Sequence, residues 1–208
     1  MIGSALYYSL VYEEIRTLTA LDTILSRCSI GKVTEQRPSR EQIEQLLEAA
    51  VRAPNHHLTN PWRFFVVAGD ARDQLGDLMA NLLASQLADP SSEHSQALIK
   101  AERAKPLRAP VLIIAAACPT RDGKVIEQEE ISATAAAVQN ILLAAHAMGL
   151  GAQWRTGNIA FDGSLKRWLG LHDDDHVIGI VYLGYPAMES RQSPRKPAAE
   201  VTRWIGWD

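Results

Sequence analysis

Cysteine is scarce in this chain. Only Cys28 and Cys118 occur in 208 residues, far apart in sequence. No disulfide framework is encoded, and two reduced thiols of a cytoplasmic protein are expected. Long apolar runs are missing too. The longest, APVLIIAAACP, falls well short of the roughly 20 residues that a membrane helix needs. The opening stretch MIGSALYYSLVYEEIRT has no Lys or Arg ahead of its apolar residues and runs into Glu13 and Glu14, which makes a poor secretory signal. No membrane association is expected. Excess charge is also lacking. A formal net charge of −3 supplies no basic field to draw in nucleic acid.

Several chemistry-bearing motifs are absent as well. There is no GxGxxG, no GxxxxGK[ST] and no GxSxG, so neither a glycine-rich phosphate cradle nor a serine nucleophile is indicated. Cys28 follows Arg27, a neighbour that lowers a thiol pKa, but no base is identifiable and a small packed residue is the plainer reading. His56 and His57 are adjacent, and adjacent side chains usually point in different directions, so no metal site is expected there. Any bound phosphate would be held by side chains. Arg27 and Ser29 at a helix end, and Arg195 and Lys196 in the tail, offer the right donors.

What is present is a patterned globular chain. Hydrophobic residues make up 47% and charged residues 22%, ordinary values for one domain with a real core. Residues 1 to about 17 read as an appended arm of a single domain spanning 1–208. LTALDTILSRCS predicts a helix with Leu18, Leu21, Ile24 and Leu25 on one face. Ser39 and Gln42 stand at capping-box spacing before the stripe Ile43, Leu46, Leu47, Ala50 and Val51. Pro54 ends that helix. The polar loop NHHLTN then leads into the strand WRFFVVA. Asp70 is placed to cap a helix to about Leu87, and a charged helix runs from after residue 94 to about Lys105. APVLIIAAAC predicts a buried strand.

EQEEISATAAAVQNILLAAHAMG predicts the longest helix, about 22 residues spanning about 33 Å. Its acidic start suits the helix dipole, Gly149 suits its stop, and alanines on nearly every face predict a central helix buried all round. GAQWRTG, a short helix over Asp162–Leu169 and the strand HVIGIVYLGYP follow. Strands mix with long helices without regular β-α-β alternation, which predicts an α+β domain and not a doubly wound parallel fold.

Four pieces of the chain, in order, resemble one family. Arg27-Cys28-Ser29 resembles the RRS motif that opens the FMN-dependent nitroreductases. Ala53-Pro54-Asn55-His56, with Asn60-Pro61-Trp62-Arg63-Phe64, is similar to their AP(S/D)…(N/Q)PW.F segment. Ala147-Met148-Gly149-Leu150-Gly151, before Trp154-Arg155-Thr156-Gly157, resembles A.GLG…W.(S/T)G, and Arg195-Lys196-Pro197 matches the R.P tail. The best likeness is to the compact, minimal-length bacterial branch. The second Arg of RRS is Cys28 here, and residues 1–17 have no counterpart in the minimal form.

The resemblance implies a central mixed or antiparallel sheet flanked by helices in three layers, with a long buried central helix. It implies FMN as cofactor, NADH or NADPH as hydride donor, and a nitroaromatic or quinone as the small-molecule electron acceptor. It implies a homodimer with FMN at the interface. Arg27, Ser29 and Arg195 would bind the phosphate, with Cys28 lining the site through its backbone. Lys32 would add a cation near the pyrimidine end. Arg52 and His56 would contact FMN, Trp154, Arg155 and Thr156 would run beside the ring, and Gly157 would offer its N–H to the hydride-accepting edge. No catalytic side chain is required, because the cofactor carries the chemistry. A pocket lid is expected around residues 88 to 108. Dehalogenation or flavin breakdown on the same fold, a flavin-binding protein without turnover, and a metal hydrolase at His56 and His57 stay open as alternatives.

Overall fold

Two reciprocal capping boxes start the described chain. The Thr19 hydroxyl accepts from the Asp22 N–H while Asp22 accepts from the Thr19 N–H, opening α1 (Ala20–Ser26). Ser39 and Gln42 repeat the exchange at 3.3 and 2.9 Å, opening α2 (Arg40–Ala50). Each box satisfies orphan N–H groups that would otherwise fray the first turn. This computed structural model describes residues 19–121 and 123–207; the expected arm over residues 1–17 lies outside them.

Four strands follow: β1 (Trp62–Ala68), β2 (Val111–Ala117), β3 (Gly151–Arg155) and β4 (His176–Gly184). They form one sheet in the order β1-β2-β4-β3, antiparallel throughout, so of the two sheet types expected the antiparallel one is found. All seven residues of β2 are buried. An unbroken apolar run is usual in parallel sheets; here it arises because helices cover both faces of an antiparallel sheet. Val111, Ile113 and Ala115 pack with Leu46 of α2 and with α5 (Glu127–Ala147). Leu112 and Ile114 pack with Leu75 and Met79 of α3 (Ala71–Gln86) and with Leu165 of α6 (Gly163–Leu169). The expected α-β-α layering results.

Boundaries differ from expectation in small ways. Asp70 precedes α3 but makes no side-chain cap. Ser92 caps α4 (Glu93–Arg103), and a 3-10 turn, Lys105–Arg108, follows it. α4 lies tight on α3, where a Cβ on Gly76 would meet the Arg103 carbonyl oxygen at 2.3 Å.

α5 stops as its sequence predicts. Gly149 is left-handed (φ 72), and the Leu150 N–H reaches back to the Ala145 carbonyl at 2.8 Å, closing the last turn. Its burial is a stripe, not a full sleeve. Ala133, Ala137, Val138, Ile141, Leu142 and Ala145 are buried, whereas Ala135, Ala136, Gln139 and Leu143 are half-buried in the single chain. α1 departs further from expectation. Leu21, Ile24 and Leu25 are 69%, 53% and 72% exposed, and Thr23 is its buried residue. An apolar stripe says that a helix face has a partner; within one chain this face has none among the described residues.

Candidate functional site

The segment after α1 is threaded between β3 and the chain that leaves β4. The Ile30 N–H donates to the Ala152 carbonyl at 3.0 Å, the Thr34 N–H to Tyr185 at 2.8 Å, and the Ala187 N–H to Lys32 at 3.0 Å. Gly151 permits the approach, since a Cβ there would lie 2.8 Å from Ile30 Cγ2. The tail folds over the end of α1. Cys28 Sγ is buried 2.9 Å from Ser190 Oγ, and the Gln192 amide donates to the Leu25 carbonyl at 3.2 Å. Arg195 follows three residues later, so its Cα lies within about 10 Å of that anchor.

Arg27 and Lys32 flank the exposed Ser29 in one short segment, and the tail that leads to Arg195 is held against that segment at Ser190 and Gln192. No carboxylate of the described residues lies within 4.0 Å of any of the three. The Arg195 guanidinium reaches only the Pro194 carbonyl, at 3.4 Å. Guanidinium and ammonium groups without counter-ions beside a free hydroxyl suit a phosphate, which is how these residues fit FMN.

β3 carries the arrangement onward. Arg155 donates from Nε and Nη2 to Gln153 Oε1 at 3.1 and 2.6 Å. That same oxygen would stand 3.1 Å from a Cβ on Gly31. Gln153 thus joins the cationic loop to Arg155, Thr156 and Gly157. Gly157 has φ 96 and ψ 176, a conformation essentially restricted to glycine, and nothing lies within 4 Å of its missing Cβ. No described residue accepts from its N–H. A bare donor faces open space there.

Trp154 points the other way, as alternation along a strand requires. It packs against the α2/α5 core, and its Nε1 donates to the Ile178 carbonyl at 3.3 Å. The indole thereby supports β3, the strand that the resemblance runs beside the flavin ring. Arg155, Thr156, Gly157 and Tyr182 line a cavity of about 450 Å³ whose far wall is α3. Glu102, Lys105 and Arg108 reach it, so part of the segment expected as a lid does border the opening.

Arg52 and His56 lie elsewhere. The exposed Arg52 sits 3.7 Å from Glu48, and His56 Nδ1 sits 2.7 Å from Glu129 Oε2 in the first turn of α5. His57, stacked on His56, and then Leu58 and Asn60 all hold positive φ. The asparagines stabilise that loop: Asn55 Oδ1 accepts from the Asn60 N–H, and the Asn60 amide donates to the Leu58 carbonyl. The cationic loop, by contrast, meets the last turn of α5, where Ser26 Oγ is 2.8 Å from His146 Nε2. Burial, and then the Arg27 charge, hold the His146 pKa below its ordinary value. Glu129 and His146 are separated by about 25 Å of helix at 1.5 Å per residue. Within one chain, His56 does not converge with Arg27, Ser29 and Lys32, whereas Arg52 follows the Ala49 carbonyl that accepts from Asn140 in the middle of α5.

Some residues escaped the sequence reading. Gln153 shares the Arg155 face and was legible from strand alternation; Tyr182, Arg108 and His146 carried no local signal. His172 and His176 do stand at HxxxH spacing, in HDDDH. These rings lie in a turn and at a strand start: His172 Nδ1 is 3.4 Å from Asp174, and His176 Nε2 is 2.6 Å from Glu127, off the line of a hydrogen bond. Among the described residues no group of three His, Cys, Asp or Glu side chains is arranged to hold a metal. Burial, followed by Asp175, pushes the Cys118 thiol up to about 11, which removes it as a nucleophile.

An uncompensated cationic loop and a backbone donor without a partner among the described residues, on an antiparallel α-β-α sheet, suit an anionic ligand. The model of the Nitroreductase family matches residues 24–185, and the chain belongs to that family. It is 31% identical over 180 residues to YdjA of Escherichia coli (strain K12), provisionally named an NAD(P)H nitroreductase; the match covers 86% of this chain and 95% of that protein. YfhC of Bacillus subtilis (strain 168), provisionally named likewise, is 28% identical, with 89% and 94% covered. A nitroreductase-like family protein from Bacillus cereus superposes with a TM-score of 0.74 at 25% identity, covering 91% of this chain and 97% of that one. A Desulfovibrio desulfuricans protein, provisionally described as a nitroreductase and solved in complex with FMN, gives 0.68 at 28% identity, with 90% and 97% covered. No helix among the described residues is long and apolar enough to cross a membrane.

Proposed function

We propose that this protein is an FMN-dependent NAD(P)H oxidoreductase that reduces nitroaromatic or quinone-type acceptors as a homodimer. One observation carries the reading: Arg27, Lys32 and Arg195, on two segments held together by the Cys28–Ser190 and Lys32–Ala187 contacts, have no carboxylate partner among the described residues. The provisionally named nitroreductase relatives and the FMN-bound D. desulfuricans protein support it. Bound FMN supplies the redox chemistry, taking a hydride from NADH or NADPH and passing electrons to the acceptor in a ping-pong cycle.

The residues of the chain bind, orient and tune. Arg27, Ser29 and Arg195 hold the phosphate, and Lys32 adds positive charge that favours the reduced, more anionic cofactor. Cys28, turned inward onto Ser190, contributes backbone only. Gly157 offers its free N–H, and Gln153 fixes the Arg155 guanidinium beside it. Trp154 holds β3 from behind.

Arg52 and His56 complete the site from a second subunit, since α5 keeps His56 apart from Arg27 in its own chain. The uncovered apolar face of α1 and the exposed tail residues Trp204, Ile205 and Trp207 support the same homodimer. Free thiols at Cys28 and Cys118 support a cytoplasmic location.

The test is the visible spectrum of purified protein mixed with FMN under anaerobic NADH and then NADPH. Bound flavin should bleach with at least one donor and recover on adding a nitroaromatic or quinone. Flavin that binds but never bleaches would move the protein to a flavin-binding role, and absence of binding would remove the cofactor assignment.

A further inference from the structure

Tyr182 lies on β4 with 7% of its surface exposed, and no described residue bonds its phenol hydroxyl. Its side chain lines the cavity of about 450 Å³ beside Gly157. Two guanidinium groups face it. Arg155 Cζ lies 5.4 Å from the ring centroid. Burial pushes the phenol pKa up, Arg155 and then Arg108 pull it down, and Glu102 pushes it up. Glu102, the carboxylate on this wall, is engaged by Lys105. Arg108 and Arg155 have no carboxylate within 4.0 Å among the described residues. Gln153 takes Nε and Nη2 of Arg155 and leaves Nη1. The remaining wall is apolar, with Met79, Leu82 and Ile159.

We propose that this cavity is a specificity pocket for planar aromatic acceptors that carry a carboxylate, held by Arg108, Arg155 and the Tyr182 hydroxyl. The inference rests on the reductase reading for why an acceptor enters here. The anion site itself rests on the three side chains. A carboxylate accepts from both guanidinium groups and from the phenol. The apolar wall covers the aromatic body, and Gly157 at the rim sets that body beside the expected flavin edge.

The probes are 4-nitrobenzoate, its neutral counterpart 4-nitrobenzyl alcohol, and benzoate, which the enzyme cannot reduce. Calorimetry of flavin-loaded protein should record benzoate binding, weakened by added salt. R108A should weaken it about tenfold, the loss of one charge-assisted hydrogen bond. Y182F should weaken it severalfold. In turnover, both variants should raise KM for 4-nitrobenzoate more than for the alcohol and leave kcat less affected. Absence of benzoate binding, or equal effects of R108A on both acceptors, would overturn the pocket while leaving a working reductase. An R108A effect on NADPH but not NADH, with 4-nitrobenzoate unmoved, would also overturn it by giving the anion site to the donor phosphate. Arg108-dependent benzoate binding in a protein whose flavin never bleaches would uphold the anion site and sink the reductase reading instead.

Discussion

The indole of Trp154 occupies the space that a side chain at Gly179 would need. A Cβ on Gly179 would come within 1.9 Å of Trp154 Nε1, 2.5 Å of Cδ1 and 3.0 Å of the Arg155 carbonyl oxygen. Gly179→Ala should therefore push β3 away from β4. Overpacking of this kind costs about 1–3 kcal/mol, read as a lower denaturant midpoint at unchanged slope. Arg155 and Gly157 ride on the same strand, so FMN affinity should fall too. Trp154→Phe added to Gly179→Ala should recover part of both losses, a coupling that distant sites lack. Additive damage in the double mutant would show that the indole is not the obstacle.

A second prediction concerns the bare face of α1. Leu25 is 72% exposed and Trp204 68% exposed in the single chain. In a monomer, Leu25→Asp would be nearly neutral. In the proposed homodimer it would bury a charge, so light scattering after gel filtration should shift toward monomer. FMN affinity should fall with it, because Arg52 and His56 would then be missing from the site, although Arg27, Ser29 and Lys32 are untouched. A monomeric Leu25→Asp variant that keeps full FMN affinity would place the whole site in one chain.

These two cases mark what the sequence reveals and what it hides. Ser39 and Gln42 announced α2, Gly149 announced the end of α5, and the run through β2 announced a doubly covered strand, because each rests on local geometry. The face of α1 was legible as apolar, but not the choice between its own core and another chain, which tertiary packing makes. Cys28 was legible as a packed residue; its partner Ser190 was not. Arg27 and His56 sat in motifs that read as one site, and the length of α5 separates the two in space. Tyr182 and Arg108 meet through packing alone, which no spacing rule encodes.

The NHHLTN loop supplies the third prediction. His57 holds φ 56, a left-handed conformation that costs a non-glycine residue about 1 kcal/mol. His57→Gly should raise stability by up to that amount, measured by chemical denaturation. His56→Ala should cost under about 1 kcal/mol of stability, since its pair with Glu129 is largely exposed. It should still weaken FMN retention in the dimer. His57→Ala should affect FMN less; equal, large losses from both would point to a shared role for the two rings.

His146 offers a readout of the phosphate site that does not depend on turnover. Its pKa is lowered first by burial and then by the Arg27 charge. The unfolded chain therefore binds a proton that the folded chain refuses, over the interval just below the ordinary histidine value of about 6.5. The protein should lose stability as pH falls through that interval and hold it above. His146→Gln should flatten this part of the profile. Arg27→Ala should let the His146 pKa rise, visible in its imidazole proton shifts. FMN should act in the same direction, because a phosphate beside Arg27 offsets the positive charge that repels the imidazolium. Arg27→Ala should also weaken FMN about tenfold or more, as expected for one charge-assisted hydrogen bond. A His146 titration that FMN leaves unmoved, with FMN nevertheless bound, would put the phosphate away from Arg27 and Ser29.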